Sequence, residues 1–306
     1  MTTRAAANTA VVKGEMVPPA LMAELTDSAS LLSDAEGLRQ RLARDGYLFL
    51  RGVLDPDAVQ AARAEVLGRL EAVGEIVPGS DGVFTGQSRR RELQPDAGAF
   101  WKSVSEGPAF RAVSHGPAVA RIVEAVAGAP VRPQDYVFLR VGVAGRATGL
   151  HFDYPFFARM HDQAWTVWLP LGDVPWARGP LVVVEGSHGF DDLIEPMRGF
   201  DVAQESTRKA DLGTGAIALA AARGKRLLTA DFEAGDLALF GMYTLHGSLD
   251  HHDPSGRVRV SCDVRWQKAA LPADPRYFGA NPGGTTGAGY AELNGAKPLD
   301  EAWHSR

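Results

Sequence analysis

The sequence predicts a mainly β protein with flanking helices, its core a double-stranded β-helix of the jelly-roll type. Three observations point there. From about residue 134 the chain breaks into short apolar runs separated by Gly, Pro and Asp turns, the pattern of a barrel or double-sheet sandwich. Before that point the apolar residues recur at helical spacing instead. Residues 257–267 alternate strictly, with Arg257, Arg259, Ser261, Asp263 and Arg265 on one face and Val258, Val260, Cys262, Val264 and Trp266 on the other.

Taken in order, residues 1–30 are Ala/Thr-rich and weakly patterned, and a loose arm is expected. Leu38, Leu42 and Ala43 predict a helix over 36–45, followed by a strand over 46–50. Asp55 as N-cap and Pro56 at the first helical position open a second helix. It runs to about Gly74 through Val59, Ala62, Val66, Leu67, Leu70 and Val73. A polar loop over 79–97 carries Arg89, Arg90 and Arg91, a charge run expected to be solvated rather than a gate for an anionic substrate. Further helical segments fall at 100–104 and 117–127. Strands are expected over 136–143, 164–171, 181–184, 226–230, 237–240 and 257–267. Residues 190–223 are long, polar and irregular, and read as a lid. The tail, 274–306, is too Gly-rich for a core element. One domain over 31–273 follows, with a helical part (31–133) and a jelly-roll core (134–273).

Composition narrows the function. An apolar content of 45% in 306 residues is ample for a core, and 23% charged residues is ordinary for a soluble protein. The net charge of −5 argues against nucleic acid or an anionic membrane as partner. A single cysteine, Cys262, excludes an internal disulfide framework and a multi-cysteine zinc site. No apolar stretch has the length of a signal sequence or a membrane span, so a cytoplasmic location is expected. Oligomeric state is left open.

The chemistry centres on His151 and Asp153. On an extended backbone, residues two apart point to the same side, so the pair can offer an imidazole and a carboxylate to one ion. Two histidines and a carboxylate on one face of a metal form the arrangement of non-haem Fe(II) sites, which leaves positions open for other ligands. His246 is the best second histidine, because it follows the 237–240 strand and should lie near the end of a neighbouring one. His188 reads as a turn residue, and His251 and His252 as solvated loop residues that stand in only if this strand register is wrong. The charged face of 257–267 comes soon after His246, which favours a polar pocket over an exposed face. A guanidinium there offers a planar fork matched to a carboxylate. Arg140 either reaches the same pocket or pairs with a core carboxylate. Phe152, Tyr154, Phe156, Phe157 and Trp168 suggest a partly apolar pocket.

An ordered set of motifs carries a resemblance. It runs from Gly46-Tyr-Leu-Phe-Leu-Arg-Gly-Val-Leu54 through Arg140, Thr148, His151, Asp153 and Trp168. It continues with Gly179-Pro-Leu-Val-Val-Val-Glu-Gly-Ser-His188, Gly235-Asp236 and His246-Gly-Ser248, and ends in the Arg259 to Gln267 strand. Over residues 46–267 the chain resembles the phytanoyl-CoA dioxygenase family of Fe(II)/2-oxoglutarate-dependent oxygenases, particularly its bacterial natural-product hydroxylases.

The resemblance implies iron held by His151, Asp153 and His246, with 2-oxoglutarate and O2 as cosubstrates. It implies that an arginine of the last core strand holds the distal carboxylate of 2-oxoglutarate, helped by Ser261. Counting forward from His246 favours Arg257, whereas the Arg-x-Ser pattern favours Arg259. Arg259 is preferred, because a loop absorbs an insertion more readily than a strand register does. Thr148, Trp168 and Arg140 are expected around the cosubstrate. The implied reaction is hydroxylation of a small-molecule metabolite at an unactivated carbon, with succinate and CO2 as coproducts. Related halogenases carry Gly or Ala where this chain has Asp153, which argues against halogen transfer. The alternatives are a cupin-type metal enzyme without 2-oxoglutarate and a non-catalytic ligand-binding jelly roll.

Overall fold

The computed structural model describes residues 9–299 except 146, 158, 160, 206, 211, 213–214 and 294–297. Two sheets face each other. The larger contains β2 (Tyr47–Leu50), β3 (Val131–Pro133), β4 (Phe138–Gly142), β5 (Ala164–Pro170), β8 (Leu237–Gly241) and β10 (Arg259–Lys268). Its order is β2–β8–β5–β10, with β3 and β4 both on the far edge of β10, and all its pairings are antiparallel. The smaller sheet runs β9 (His246–Ser248), β6 (Leu181–Val184), β7 (Leu227–Thr229) and β1 (Met22–Glu24). Only the β1–β7 pair in it is parallel.

Alternation along the strands builds three apolar clusters. Tyr47, Phe49, Trp168, Ala238 and Phe240 meet Leu181, Val183 and Leu228 between the sheets. The opposite residues, Leu48, Leu50, Val167, Leu169, Leu239, Val260, Cys262 and Val264, pack outward against helices. These are α1 (Ala35–Asp45), α2 (Pro56–Glu71), α3 (Ala97–Ser105), α4 (Pro108–Ser114) and α5 (Pro117–Ala127). The α1 and α2 helices begin as their sequences require. Asp34 caps the Gly37 N–H, while Asp55 caps Asp57 ahead of Pro56.

Four expectations change. From Ala10 onward the arm is part of the fold, because Ala10, Val12, Val17 and Leu25 are buried and β1 joins the smaller sheet. The 190–223 segment is not merely a polar lid. Phe190, Ile194, Met197, Phe200, Leu219 and Ala220 pack on the outer face of the smaller sheet, and α6 (Ala216–Arg223) closes the segment. The tail also enters the core, through Tyr277, Tyr290, Leu293 and Leu299. Tyr290 stacks flat on Tyr136, centroids 4.8 Å apart, so isolated aromatics anchor a segment whose glycines form no strand. Within the polar loop, Arg90 is buried, 2.5 Å from Glu75 and over the rings of Phe100 and Trp101. Arg89 and Arg91 stay exposed as expected.

If the tail is core, Tyr290→Ala should destabilise the protein by about 3 kcal/mol, the usual loss for a buried aromatic. Thermal unfolding reads this directly; an unchanged midpoint would mean that the tail only rests on the surface.

Candidate active site

The site begins with a backbone pairing. Residues 148–151 run alongside β9. His151 N–H donates to the His246 carbonyl (2.9 Å), His246 N–H returns the bond (3.1 Å), and Ser248 N–H donates to the Thr148 carbonyl (3.0 Å). Ser248 Oγ also accepts from Thr148 N–H at 2.8 Å. This approach requires a glycine at position 247, because a Cβ there would fall 2.7 Å from the Thr148 oxygen. The pairing sets the two imidazole rings side by side, centroids 4.4 Å apart.

Asp153, two residues on, turns to the same place. One ligand atom each from His151, Asp153 and His246 lies within 4.8 Å of the others. Asp153 Oδ1 is 3.6 Å from His151 Nε2 and 3.8 Å from His246 Nε2. Both Nδ1 atoms lie 2.9 Å from a backbone carbonyl, of Gly149 and of Thr244. A carbonyl only accepts, so Nδ1 carries the proton and Nε2 presents its lone pair to the space between. Burial and the neighbouring His246 push His151 down to about 4. Burial opposes the Asp153 charge, yet the Arg265 guanidinium and the Thr166 hydroxyl hold it well below the usual carboxylate range. Two neutral imidazoles and a carboxylate are a donor set that suits ferrous iron.

The inner face of β10 supplies the rest. Asp263 accepts from Arg140 Nε at 2.7 Å, and Arg265 Nη2 lies 2.8 Å from both oxygens of Asp153. Thr166 Oγ1 donates to Asp153 Oδ2 at 2.5 Å. Arg259 is different. Its Nη1 donates to the Gly179 carbonyl, but among the described residues its buried Nε has no partner, nor has Ser261 Oγ beyond it. Among the described residues no carboxylate pairs with Arg259. Burial and Arg140 lower it to about 10, so it stays charged. A buried cation and a buried hydroxyl left unsatisfied on one strand face fit an anionic molecule with a carboxylate.

The strand starts at Arg259, not at residue 257. Arg257 therefore leaves the alternation, its side chain 43% exposed and 3.8 Å from Asp81. Trp168 is buried on the inner face of β5, tilted against Phe232 at 4.6 Å. Thr148 contributes its backbone to the pairing with Ser248. Arg140 takes the carboxylate-paired alternative. His188 sits in a turn, near the Ala43 carbonyl (3.1 Å), as expected. His251 is not solvated: it is buried, its Nε2 donates to the Arg257 carbonyl at 2.7 Å, and burial draws it down to about 4. His252 is exposed.

Sequence reasoning missed the grip on Asp153. Arg265 was visible as a charge on an inward face, but its partner lies 112 positions away, and Thr166 gave no signal of its own. Also missed was the tether of the helical turn Tyr154–Phe157, which follows the ligand. Tyr277 Oη donates to the Phe156 carbonyl at 2.7 Å, joined by Arg276 at 3.3 Å.

The buried histidines give a pH prediction. His115, His151 and His251 are each lowered from 6.5 to about 4, the first by burial and Arg111. Each binds fewer protons folded than unfolded. The metal-free protein thus keeps their full contribution above the ordinary imidazole value and loses it as pH falls toward the lowered one, by on the order of 3 kcal/mol per histidine. Urea melts at about pH 7.5 and about pH 5 check this, and His251→Asn should flatten part of the slope.

The sequence profile of the family described as phytanoyl-CoA dioxygenase (PhyH) matches residues 42–258. The 1-deoxypentalenic acid 11-beta-hydroxylase of Streptomyces arenae is 27% identical over 264 residues, covering 81% of this chain and 86% of that protein. Two solved structures share the fold. The non-haem alpha-ketoglutarate-dependent carbocyclase SnoK of nogalamycin biosynthesis superposes with a TM-score of 0.54 at 20% identity, covering 80% of this chain and 88% of that one. The epimerase SnoN, in complex with Fe3+, alpha-ketoglutarate and nogalamycin RO, gives 0.51 at 22%, covering 89% and 95%. The profile match spans more than two-thirds of the chain, and with its His-Asp-His cluster the chain belongs to the phytanoyl-CoA dioxygenase family of Fe(II)/2-oxoglutarate-dependent oxygenases.

Proposed function

We propose that His151, Asp153 and His246 hold the iron, and that Arg259 with Ser261 takes the distal carboxylate of 2-oxoglutarate. The reaction is hydroxylation of a small-molecule metabolite at an unactivated carbon. The observation that carries this reading is the unsatisfied Arg259 Nε and Ser261 Oγ, buried on the strand that also carries Arg265, whose guanidinium reaches Asp153. Bound ferrous iron supplies activation of O2, coupled to decarboxylation of 2-oxoglutarate to succinate and CO2. The chain's own part is positional. The Gly149 and Thr244 carbonyls fix which imidazole nitrogens point inward. Arg140 neutralises Asp263, which keeps Arg259 available to an incoming carboxylate. The aromatic packing around Trp168 excludes water from one side of the cosubstrate position.

An apolar substrate body is supported by Phe156, whose ring stands edge-on to His151 at 6.0 Å. The Streptomyces arenae relative acts on 1-deoxypentalenic acid, and we extend to this chain only the class, a small organic metabolite. Among the described residues no helix is long and apolar enough to cross a membrane. With a net charge of −5 this supports substrate capture from solution and leaves nucleic acid out of the reading.

Calorimetry of 2-oxoglutarate binding, with Fe(II) or a redox-inert surrogate present, separates the two arginines. Arg259→Ala should weaken binding by on the order of 2–5 kcal/mol, as for a buried charge pair broken on one side. Arg257→Ala should have little effect, and equal losses would show the assignment to be wrong.

Iron content tests the ligands. His246→Ala and Asp153→Ala should each abolish turnover, the first with the thermal midpoint near that of the parent protein and the second with a lowered one, because it leaves Arg265 buried without its carboxylate. A His246→Ala protein that still holds one iron per chain and turns over would remove that histidine from the set.

A further inference from the structure

Arg265 is hard to explain by stability. Its guanidinium is 2% exposed and lies between the rings of Phe138 and Phe157, 4.7 and 4.6 Å from their centroids. Its Nε and Nη1 are buried without a partner among the described residues. Among the described residues its side-chain hydrogen bonds all run through Nη2, 2.8 Å from each oxygen of Asp153. A buried ion pair with unsatisfied donors is often no better for folding than a well-packed apolar pair. Its value must lie in what it does to Asp153.

The carboxylate is used unequally. Oδ2 accepts from Thr166 Oγ1 at 2.5 Å as well as from Arg265. Oδ1 accepts from Arg265 alone and is the oxygen facing both imidazole Nε2 atoms. Thr166 therefore occupies one oxygen and leaves the other for a metal. The Arg265 charge is permanent, and the nearby Asp263 is engaged by Arg140.

We infer that Arg265 is a positioning residue whose fixed charge, seated on the Asp153 carboxylate that Thr166 orients, holds a bound iron ferrous. The inference rests on the reading that His151, Asp153 and His246 bind the metal. Its physical basis is Coulombic. A ligand carboxylate favours the more highly charged ferric ion, and a cation bound to that carboxylate within an apolar wall opposes it, with little solvent screening. Loss of one electron from Fe(II) to dioxygen is the unproductive reaction that this charge disfavours.

The test uses the full chain loaded with Fe(II) without oxygen, as the parent protein and as Arg265→Met, Arg265→Gln, Arg265→Lys and Thr166→Val. Iron per chain, the Fe(III)/Fe(II) midpoint potential and the rate of ferrous loss in air without substrate are read on each. Arg265→Met and Arg265→Gln should show a more negative potential and lose ferrous iron roughly tenfold faster. Arg265→Lys keeps the charge and should restore the parent potential. Thr166→Val should leave the potential alone but change the visible spectrum of the cobalt(II)-substituted protein, as Oδ2 becomes free to bind. Iron-loaded Arg265→Met with the parent potential would overturn the inference, and so would an Arg265→Lys potential as negative as that of the neutral variants. Failure of both neutral variants to fold would make the pair structural and also overturn it. A parent protein that binds no iron would instead bring down the ligand assignment beneath it.

Discussion

Everything at the centre of this protein depends on two backbone hydrogen bonds between His151 and His246. They are ordinary antiparallel bonds, yet they join residues on either side of the long excursion through β5 to β8. Side-chain flexibility cannot substitute for them, because the imidazoles must meet at a separation set by the backbone. Gly247 is what lets the two segments approach. Here the smallest side chain in the motif does as much for the site as its neighbour the histidine.

A second constraint is the balance of buried charge. The guanidinium groups of Arg140, Arg259 and Arg265 share the inter-sheet space with the carboxylates of Asp153 and Asp263. Pairing Arg140 with Asp263 and Arg265 with Asp153 leaves Arg259 as the surplus cation. An interior with unpaired positive charge is unfavourable until an anion arrives, so the protein is preorganised for an acidic cosubstrate. The same arrangement holds Asp153 ionised although burial opposes its charge.

Much of this was legible in the chain. Local rules placed α1 and α2, because Leu38 and Leu42 recur at helical spacing and Asp55 and Pro56 act within a turn of their own positions. Alternation along residues 259–265 showed the charged face, and the spacing of His151 and Asp153 showed the paired donors. The failures share one physical cause. Strands such as Met22–Glu24 are too short to display a period, and the Tyr136–Tyr290 stack joins residues with no shared local pattern. Arg257 was misread because alternation continues in the sequence past the point where the strand ends. The burial of His251 and the grip of Arg265 on Asp153 are properties of tertiary pairing, which periodicity does not encode.

The tether from Tyr277 to Phe156 bears on when the site can form during synthesis. A ribosome releases the chain from its N-terminus, so the segment bearing His151 and Asp153 emerges long before the residue that steadies the turn beside it. His246 and Arg265 also emerge late. The His-Asp-His set is thereby incomplete until residue 246 has been made, and its tether is absent until residue 277 has been made.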